Sequence, residues 1–444
     1  EIAQCLVGSE MCIRDSSKTM IRFIDLFAGI GGIRKGLELA AEERGLETTC
    51  VFTSEIKPAA IEVLKQNHPA EKIYGDITKV SVEEIPDFDI LLAGFPCQAF
   101  SSAGKRLGFM DTRGTLFFDV ERILSAKKPV GFLLENVEGL INHDKVDKTK
   151  KIGRTLETIL SSLVNLGYKV EWTCLNSRYF GLPQERKRVY IAGTLIDKPS
   201  LSGFSVQESL LTNVLEQGKP TVQSSFIDAL LRTYPLDQLY GKSIKDKRGG
   251  ENNIHSWDIG LKGYVTDGQK ALLNQLFKER RKKKWAEEFG IDWMDGMPLT
   301  LQQISTFNDS PNLQEMLEDL VSKGYLKKEH PKKLVREILL DGNVKTYRVQ
   351  DPNLPLGYNI VSGKLSFEIN KILSPDDVAP TLVAMDMQKL FVIDNGGLRT
   401  LTLREGLRLF GYPDDYKFDI PVKEGYDLLG NCLLYTSDAA DDLI

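Results

Sequence analysis

Apolar and polar positions follow two different periods along residues 20–196. Short apolar runs recur along the chain, and the longer segments between them repeat apolar residues with the spacing of an amphipathic helix. This alternation predicts a doubly wound α/β domain, in which a mainly parallel sheet lies between two layers of helices. Seven runs are predicted to be its strands: IRFIDLF, TCVFTSEI, KIYGDI, FDILLAGF, VGFLLENV, KVEWTCL and RVYIAGT. Because such sheets bind ligands beyond the carboxyl ends of their strands, we expect functional residues directly after these runs.

The alternation stops over residues 197–398, which predicts a second, smaller domain before the chain returns to the first domain at residues 399–431. Within it, residues 299–350 contain two short amphipathic segments and then two strand-like runs around the turn sequence DGN. Two helices and a hairpin in this order are typical of a winged helix-turn-helix, and a helical insert that only supports the domain fits equally well. The basic run FKERRKKKW at residues 277–285 is either a solvated helix face or a surface for phosphates.

Composition narrows the class of protein. With 444 residues, 42% apolar and 27% charged, the chain is expected to be globular with two domains, and it contains no apolar run long enough to span a bilayer. The net charge of -5 does not exclude nucleic acid, because binding requires only a local basic surface. Six scattered cysteines without a CxxC pair and four histidines without ligand spacing predict neither a disulfide framework nor a metal site.

Both chain ends look foreign to the rest. The stretches CLVGSEMCIRD and CLLYTSDAADDL resemble translated sequencing-adapter read-through, so we expect residues 1–19 and 432–444 to be non-native tails. The natural protein would then begin near Met20 and be interrupted after about Asn431; ordinary mobile termini are the alternative. The first residues carry acidic side chains where a signal peptide would be apolar, so a cytoplasmic protein is expected.

A glycine-rich turn, FAGIGG, follows the first predicted strand and opens a helix. Glycines let a ligand approach the backbone and a helix N-terminus offers N–H groups to an anion, although such a turn can also serve only tight packing. Glu55, at the end of the second strand, has the position of an acid that reaches a ribose diol. Asp76, after the third strand, has the position of an acid that accepts a hydrogen bond from an adenine amine or that caps the N-terminus of a helix. Together these residues favour an adenosyl cofactor.

Cys97 follows Pro96 on the loop after the fourth predicted strand. A lone cysteine is usually a small buried hydrophobic residue. At the carboxyl edge of a sheet, beside a cofactor crevice, it is placed instead like a nucleophile. The sequence GFPCQAFS at this point resembles the Pro-Cys signature of cytosine-C5 DNA methyltransferases of the bacterial and phage restriction-modification type.

Further segments match motifs of this family in the same order along the chain. They are FAGIGG, Glu55, Asp76, DTRGTLF at 111–117, ENV at 135–137, QERKR at 184–188, RTLTLRE at 399–405, LFGYP at 409–413 and Gly430-Asn431. The sequence departs from the family pattern in two places. Lys57 stands where many relatives have a second polar or acidic residue, and Cys432-Leu433-Leu434 replaces the Ala or Ser, Val and final helix that should close the cofactor pocket.

The resemblance implies a class I, Rossmann-like methyltransferase domain with a target-recognition domain at residues 197–398, acting as a monomer on double-stranded DNA. It implies S-adenosylmethionine as cofactor, no metal, and a cognate restriction endonuclease if the gene belongs to a restriction-modification pair. By resemblance, the cofactor contacts are Phe27, Gly29, Gly31, Gly32, Glu55, Ile56, Asp76, Ile77, Pro96, Leu116 and Asn431. The catalytic residues are Cys97, Glu135, Arg186 and Arg188, and the substrate contacts are Gln98, Ser101, Asn136 and Gln184.

In the implied mechanism, Cys97 adds to carbon 6 of a flipped-out cytosine while Glu135 shares or donates a proton at ring nitrogen 3. A thiolate at neutral pH requires nearby positive charge, for which Arg186 and Arg188 are candidates, and burial is expected to raise the pKa of Glu135. Two alternatives stay open. A tRNA cytosine methyltransferase is less favoured because Phe95 stands where those relatives usually have a second proline, and a non-catalytic DNA-binding relative is less favoured because the catalytic residues are intact.

Overall fold

The computed structural model describes residues 20–96, 116–145, 147, 149–246, 249–293, 295–338, 344–361, 367–384 and 386–431. The predictions made for Cys97, Gln98 and Ser101, for the turn at 341–343 and for both chain ends lie outside these residues. Only the backbone is described for Val344 and Asn431.

The described residues form strands and α-helices with the following bounds. The strands are β1 (Met20–Leu26), β2 (Glu47–Ser54), β3 (Ile73–Tyr74), β4 (Ile90–Ala93), β5 (Gly131–Val137), β6 (Lys169–Asn176), β7 (Lys187–Thr194), β8 (Ser243–Ile244), β9 (Asn253–Ile254), β10 (Leu326–Glu329), β11 (Lys332–Ile338), β12 (Val344–Gln350), β13 (Gly357–Ile360), β14 (Lys371–Ile372), β15 (Leu390–Asp394) and β16 (Gly397–Thr400). The helices are α1 (Gly32–Glu42), α2 (Pro58–Asn67), α3 (Leu116–Lys127), α4 (Arg154–Asn165), α5 (Ser225–Thr233), α6 (Asp267–Glu279), α7 (Lys284–Glu288), α8 (Leu301–Ser305), α9 (Leu313–Ser322), α10 (Leu403–Leu409) and α11 (Val422–Asn431).

The chain divides into two compact units. Unit 1 contains the described residues within 1–217, 374–388 and 401–444, and unit 2 those within 218–373 and 389–400. This division differs from the predicted boundaries, because residues 197–217 and 374–388 lie in unit 1. Backbone hydrogen bonds hold them there: the Leu211 N–H donates to the Asp377 carbonyl at 3.0 Å, and the Ala379 N–H donates to the Pro183 carbonyl at 2.9 Å.

Unit 1 is built on a seven-stranded sheet in the order β3-β2-β1-β4-β5-β7-β6. All seven predicted strands are found in it. The first five are mutually parallel, whereas β7 runs antiparallel to both β5 and β6. The predicted doubly wound, mainly parallel sheet is therefore confirmed, and the carboxyl ends of β1 to β5 lie at one edge.

Both faces of this sheet are covered, as the nearly continuous apolar runs predict for parallel strands. Alternate residues of β1 enter different cores: Ile24 and Leu26 pack on the side of α3 and α4, and Phe23 packs with Leu37 of α1 on the other side. The two cores hold the strand ends, and therefore the loops after them, in fixed positions.

Unit 2 contains a five-stranded sheet in the order β16-β15-β14-β8-β9 and a separate subdomain over α6 to β13. In the subdomain, α6, α8 and α9 pack around one apolar core with β10 and β13, which pair antiparallel. Leu299 adds an antiparallel bridge to Tyr358 of β13. Between β10 and β13, the strands β11 and β12 form an antiparallel hairpin that pairs with neither. Four helices, a small sheet and a hairpin follow one another in this subdomain, and its last two helices and the hairpin are the elements of the predicted winged helix-turn-helix, which stays a prediction.

No helix among the described residues is long and apolar enough to cross a membrane. Within the same part of the chain, no group of three or more His, Cys, Asp or Glu side chains is arranged to hold a metal ion.

Candidate active site

The glycine-rich turn after β1 adopts backbone conformations that explain its sequence. Phe27, Gly29 and Gly31 have φ angles of 54°, 55° and 76°, the left-handed region that costs glycine little and other residues more. Gly31 is the N-cap of α1, and Gly32 is the first residue of that helix. The turn therefore brings the free N–H groups of an eleven-residue helix to the carboxyl edge of the sheet.

Two tyrosines from the C-terminal part of unit 1 hold this turn in place. The hydroxyls of Tyr412 and Tyr416 donate to the Ile30 carbonyl at 3.3 and 2.5 Å, and all three residues are buried. A Cβ atom added to Gly32 would lie 3.0 Å from the Tyr412 hydroxyl. Gly32 thus allows the close packing of a segment nearly four hundred residues away. Tight packing therefore explains this glycine as well as access of a ligand to the backbone does.

Glu55 follows β2 and is tied to the same turn. Its carboxylate accepts hydrogen bonds from the backbone N–H groups of Gly29, Ile56 and Lys57 at 2.7, 2.8 and 2.8 Å. These bonds fix the carboxylate at the sheet edge while its remaining lone pairs can accept from a ligand. The Ile56 side chain next to it is 67% exposed, which leaves an apolar surface at the predicted cofactor position.

Lys57, the residue that departs from the family pattern, pairs with a residue of the last described helix. Its ammonium forms an ion pair with Asp427 of α11, and its backbone N–H donates to Glu55. The departure therefore links the loop after β2 to the last described helix and leaves the Glu55 carboxylate in place.

Asp76 is a helix cap in this structure. It precedes a short 3-10 helix, and its Oδ1 accepts from the Thr78 backbone N–H at 3.1 Å and from the Thr78 hydroxyl at 2.7 Å. The Thr78 hydroxyl contributes most to holding the pKa of Asp76 below its ordinary value. Oδ2 lies 3.7 Å from the Lys79 ammonium and is the oxygen left for an adenine amine.

Ile77 differs from the prediction in one respect. Its side chain is 2% exposed and belongs to the core of unit 1, so it does not form a cofactor wall. Only its backbone can face a ligand. The helix cap at Asp76 turns the chain here, which directs the next side chain into the core.

Pro96 and Leu116 are the described residues on either side of the undescribed nucleophile loop. The start of that loop is anchored by Asn136 of β5, whose Nδ2 donates to the Phe95 carbonyl at 2.9 Å. The Asn136 Oδ1 accepts from the Val137 N–H at 2.9 Å, and the side chain is 4% exposed. Asn136 was predicted to contact substrate; here both ends of its amide bind the backbone, which positions Phe95 two residues before Cys97.

Glu135 is the central residue of the site. It lies on β5, is 3% exposed, and its Oε1 is 3.1 Å from the Nε of Arg188 on β7. The alignment of this ion pair is too poor for a hydrogen bond, so Oε1 and the Arg188 Nε have no hydrogen-bond partner among the described residues, and neither has the Arg188 Nη2. A buried acceptor and buried donors of this kind, at the carboxyl edge of the sheet, form a site suited to a ligand with its own donor and acceptor.

Burial decides the protonation of this carboxyl group. Loss of hydration raises the pKa of Glu135 from 4.5 to about 7, although the positive charges of Arg188 and, to a smaller extent, Arg186 oppose the rise. The predicted pKa shift is therefore found in its direction. Glu135 is poised to carry a proton near neutral pH, as a general acid requires.

Arg186 and Gln184 precede β7 and are also buried. The Arg186 guanidinium lies 4.8 Å from the ring centroid of Phe410 and its Nη1 donates to the Leu382 carbonyl at 3.4 Å. Gln184 is fully buried, and its Nε2 donates to the Leu409 carbonyl at 3.0 Å. In this structure Gln184 braces the backbone of unit 1 and offers no surface to a substrate, contrary to the role expected for it.

Three residues of the site had no predicted role of this kind. Tyr412 lies in the motif LFGYP, whereas Tyr416 and Asp25 belong to none of the matched motifs. Asp25 is 1% exposed in β1, and burial raises its pKa to about 7 while Arg34 opposes the rise. An acid within the apolar run IRFIDLF is the signal that marks it in the sequence.

The sheet order and the reversed seventh strand are those of a class I methyltransferase fold, with the glycine turn, Glu55 and Glu135 at its ligand-binding edge. Comparison with known proteins agrees. The family of C-5 cytosine-specific DNA methylases matches residues 21–436. The chain belongs to this family, and the resemblance inferred from its motifs is confirmed.

The chain is similar to bacterial enzymes over most of its length. Type II methyltransferase M.NlaIV of Neisseria lactamica is 66% identical over 411 residues, which cover 93% of this chain and 95% of that protein. M.NgoBV of Neisseria gonorrhoeae is 64% identical with the same coverage. M.BanI of Aneurinibacillus aneurinilyticus is 41% identical over 435 residues, covering 93% of this chain and 92% of that protein.

Proposed function

We propose that this chain transfers a methyl group from S-adenosylmethionine to carbon 5 of a flipped-out cytosine in a specific sequence of duplex DNA, with Cys97 as the covalent nucleophile. The observation that supports this best is Glu135: a fully buried carboxyl with a pKa of about 7, paired with Arg188 at the edge of a methyltransferase sheet. A buried acid with a raised pKa and a specific cationic partner, at the ligand-binding edge of a sheet, is typical of a functional site.

The residues at the sheet edge fit an adenosyl cofactor. The cofactor's carboxylate can accept from the N–H groups at the left-handed turn of Gly29 and Gly31 and at the N-terminus of α1. Glu55 can accept from a ribose diol, and the exposed Ile56 side chain can pack on the adenine face. When bound, S-adenosylmethionine supplies an electrophilic methyl group. The chain's own part in the reaction is to hold that group near the cytosine and to make carbon 5 nucleophilic.

Cys97 and Glu135 activate the ring together. The Cys97 thiolate adds to carbon 6, a ring double bond opens toward nitrogen 3, and Glu135 delivers its proton to that nitrogen. The added electron density makes carbon 5 an enamine carbon, which is a nucleophile. After methylation, loss of the carbon 5 proton to a base restores the double bond to carbon 6 and expels the Cys97 thiolate, and nitrogen 3 returns its proton to the Glu135 carboxylate, which regenerates the aromatic ring.

Arg188 has a second function in this scheme. Its Nη2 is a buried donor without a hydrogen-bond partner among the described residues, and it suits the carbonyl oxygen of cytosine. Its positive charge and that of Arg186 also favour a thiolate near them. Because none of the ring atoms is reachable within a duplex, the base must leave the helix, at a cost of roughly a few kcal/mol.

We further propose that the protein acts as a monomer in the bacterial cytoplasm. The relatives named above are Type II methyltransferases of bacteria, which favours a restriction-modification setting and a cognate endonuclease that cuts the same sequence when it is unmethylated.

The test is methyl transfer from labelled S-adenosylmethionine to unmethylated bacterial genomic DNA, with bulk tRNA as the competing substrate. We expect label in DNA, at carbon 5 of cytosine. Cys97→Ser should abolish transfer, whereas Cys174→Ser, a matched change on β6, should not. Label in tRNA alone would favour the RNA alternative. No label in either substrate, together with DNA binding, would favour a non-catalytic relative.

A further inference from the structure

The winged-helix-like subdomain of unit 2 has an unusual charge distribution. Helix α9 occupies the place of a recognition helix, yet it contains Glu315, Glu318 and Asp319 and no basic residue. The last two are engaged, Glu318 with Lys328 and Asp319 with Lys323, and Glu315 is exposed. Because DNA phosphates repel such a face, α9 is unsuited to lie in the major groove.

The hairpin of β11 and β12 has the opposite character. It contains five basic residues, and Glu337 is its single acid. With seven residues in each strand it projects about 20 Å, and the major groove of B-DNA admits a two-stranded ribbon of this kind. Its strands pair only with each other among the described residues, so both faces are largely exposed.

The two faces of this hairpin differ in charge. Side chains alternate along each strand and paired residues share a face. One face therefore carries Lys332, Arg336 and Arg348 with no acid, and the other carries Lys333 and Lys345 with Glu337. Lys332 and Arg336 have no ion-pair partner in the part of the chain that the structure describes, whereas Lys333 pairs with Asp351 at 3.3 Å.

The basic face is continuous with part of the basic run at residues 277–285. Arg348 Nη2 donates to the Trp293 carbonyl at 2.8 Å, and Trp293 Nε1 donates to the Arg281 carbonyl at 3.1 Å. Several basic residues of the run have partners within the protein. Arg280 is buried against Asn359 at 2.6 Å and Lys282 pairs with Glu279 at 2.6 Å, so much of its charge is used within the protein.

We propose that the hairpin face of Lys332, Arg336 and Arg348, rather than α9, is the surface of unit 2 that contacts the phosphates of duplex DNA. The inference rests on the proposed function, which supplies DNA as the partner. Lys332 and Arg336 would each neutralise a phosphate, while Thr346 and Gln350 on the same face can hydrogen-bond to base edges.

The experiment compares charge-matched variants of the full-length protein on a short duplex of mixed sequence, because the phosphate contribution to binding is independent of sequence. The test variant is K332Q/R336Q. Its control is R44Q/K65Q, which removes two exposed charges of unit 1, one just after α1 and one in the last turn of α2. Binding is measured against salt concentration, and circular dichroism confirms that each variant is folded.

We expect K332Q/R336Q to bind the duplex on the order of tenfold more weakly and to reduce the slope of log affinity against log salt by about 2. The control should match the wild type. Turnover at saturating DNA should be unchanged in both variants, since neither touches the catalytic residues. Equal slopes for test variant and control would overturn the proposal.

Two single variants test the faces separately. E315Q, on α9, should leave the affinity unchanged, and tighter binding would place α9 on the DNA and refute the assignment. K345Q should change the salt slope less than R336Q does, and an equal effect would refute the choice of face. Failure of the proposed function is distinguishable from these results, because the wild type would then not methylate genomic DNA.

Discussion

Replacing Glu135 with Gln tests the central residue of the site. The substitution keeps the size and a hydrogen-bond donor of the protonated carboxyl but removes its proton-donating ability. With a pKa of about 7, roughly a quarter of Glu135 is protonated at pH 7.5, compared with about one part in a thousand at the ordinary value of 4.5. General acid catalysis typically contributes 10²- to 10⁴-fold, so we expect the turnover of Glu135→Gln to fall by about that factor.

The assay is methyl transfer over a range of pH, together with cofactor binding. Wild-type kcat should fall as pH rises through about 7, since Glu135 then loses its proton, and the variant should lose this alkaline limb. Cofactor affinity should not change. Near-normal turnover in Glu135→Gln, or an alkaline limb that persists in it, would refute the role of proton donor.

The same pKa makes a prediction about stability that needs no activity. A pKa raised from 4.5 to about 7 means that ionised Glu135 is disfavoured in the folded state by about 3 kcal/mol. The folded protein therefore binds more protons than the unfolded chain between these pH values, and its stability falls as pH rises. Urea denaturation should show wild type losing about 3 kcal/mol relative to Glu135→Gln from pH 4.5 to above 7; a difference independent of pH would contradict the raised pKa.

Three further substitutions separate binding, positioning and electrostatics. Ile56→Ala removes an exposed side chain, so stability should change by less than about 0.5 kcal/mol in urea denaturation while calorimetry shows cofactor binding weaker by roughly tenfold. Asn136→Ala leaves the Phe95 carbonyl without its donor and should cost roughly 1–3 kcal/mol of unfolding free energy, with lower turnover and unchanged cofactor affinity. Arg188→Gln removes the charge that most opposes the raised pKa of Glu135, so the alkaline limb of the pH profile should move to higher pH as turnover falls.

The strands of unit 1 were predictable because their apolar residues form short runs, which are almost completely buried in β4 and β5, and the signal lies within the run itself. The bounds of the second domain were harder to predict from the sequence. Residues 197–217 and 374–388 join unit 1 through pairings such as Leu211 with Asp377, which lie far apart in sequence and leave no local pattern.

Long-range contacts also account for the site residues whose surroundings were not foreseen. Gln184 belongs to a motif and was expected to face the substrate, but the Leu409 carbonyl, 225 residues away, accepts from its amide inside unit 1. Arg280 stands within a mainly basic run, and only the structure shows that it is buried and bonded to Asn359. A motif thus identifies which residues are constrained, whereas the partners that constrain them are set by tertiary structure.

The reversed strand β7 explains why the motif QERKR works beside Glu135. In a parallel strand, the residues at its start would lie at the amino edge of the sheet, far from the ligand. Because β7 runs antiparallel to β5, its first residues lie at the carboxyl edge, where Arg188 is opposite Val137. The reversal therefore places a cation next to Glu135, 3.1 Å from its carboxylate, at the edge where β1 and β2 present the cofactor turn and Glu55. Topology thus brings two motifs about fifty residues apart together in the proposed acid-base site.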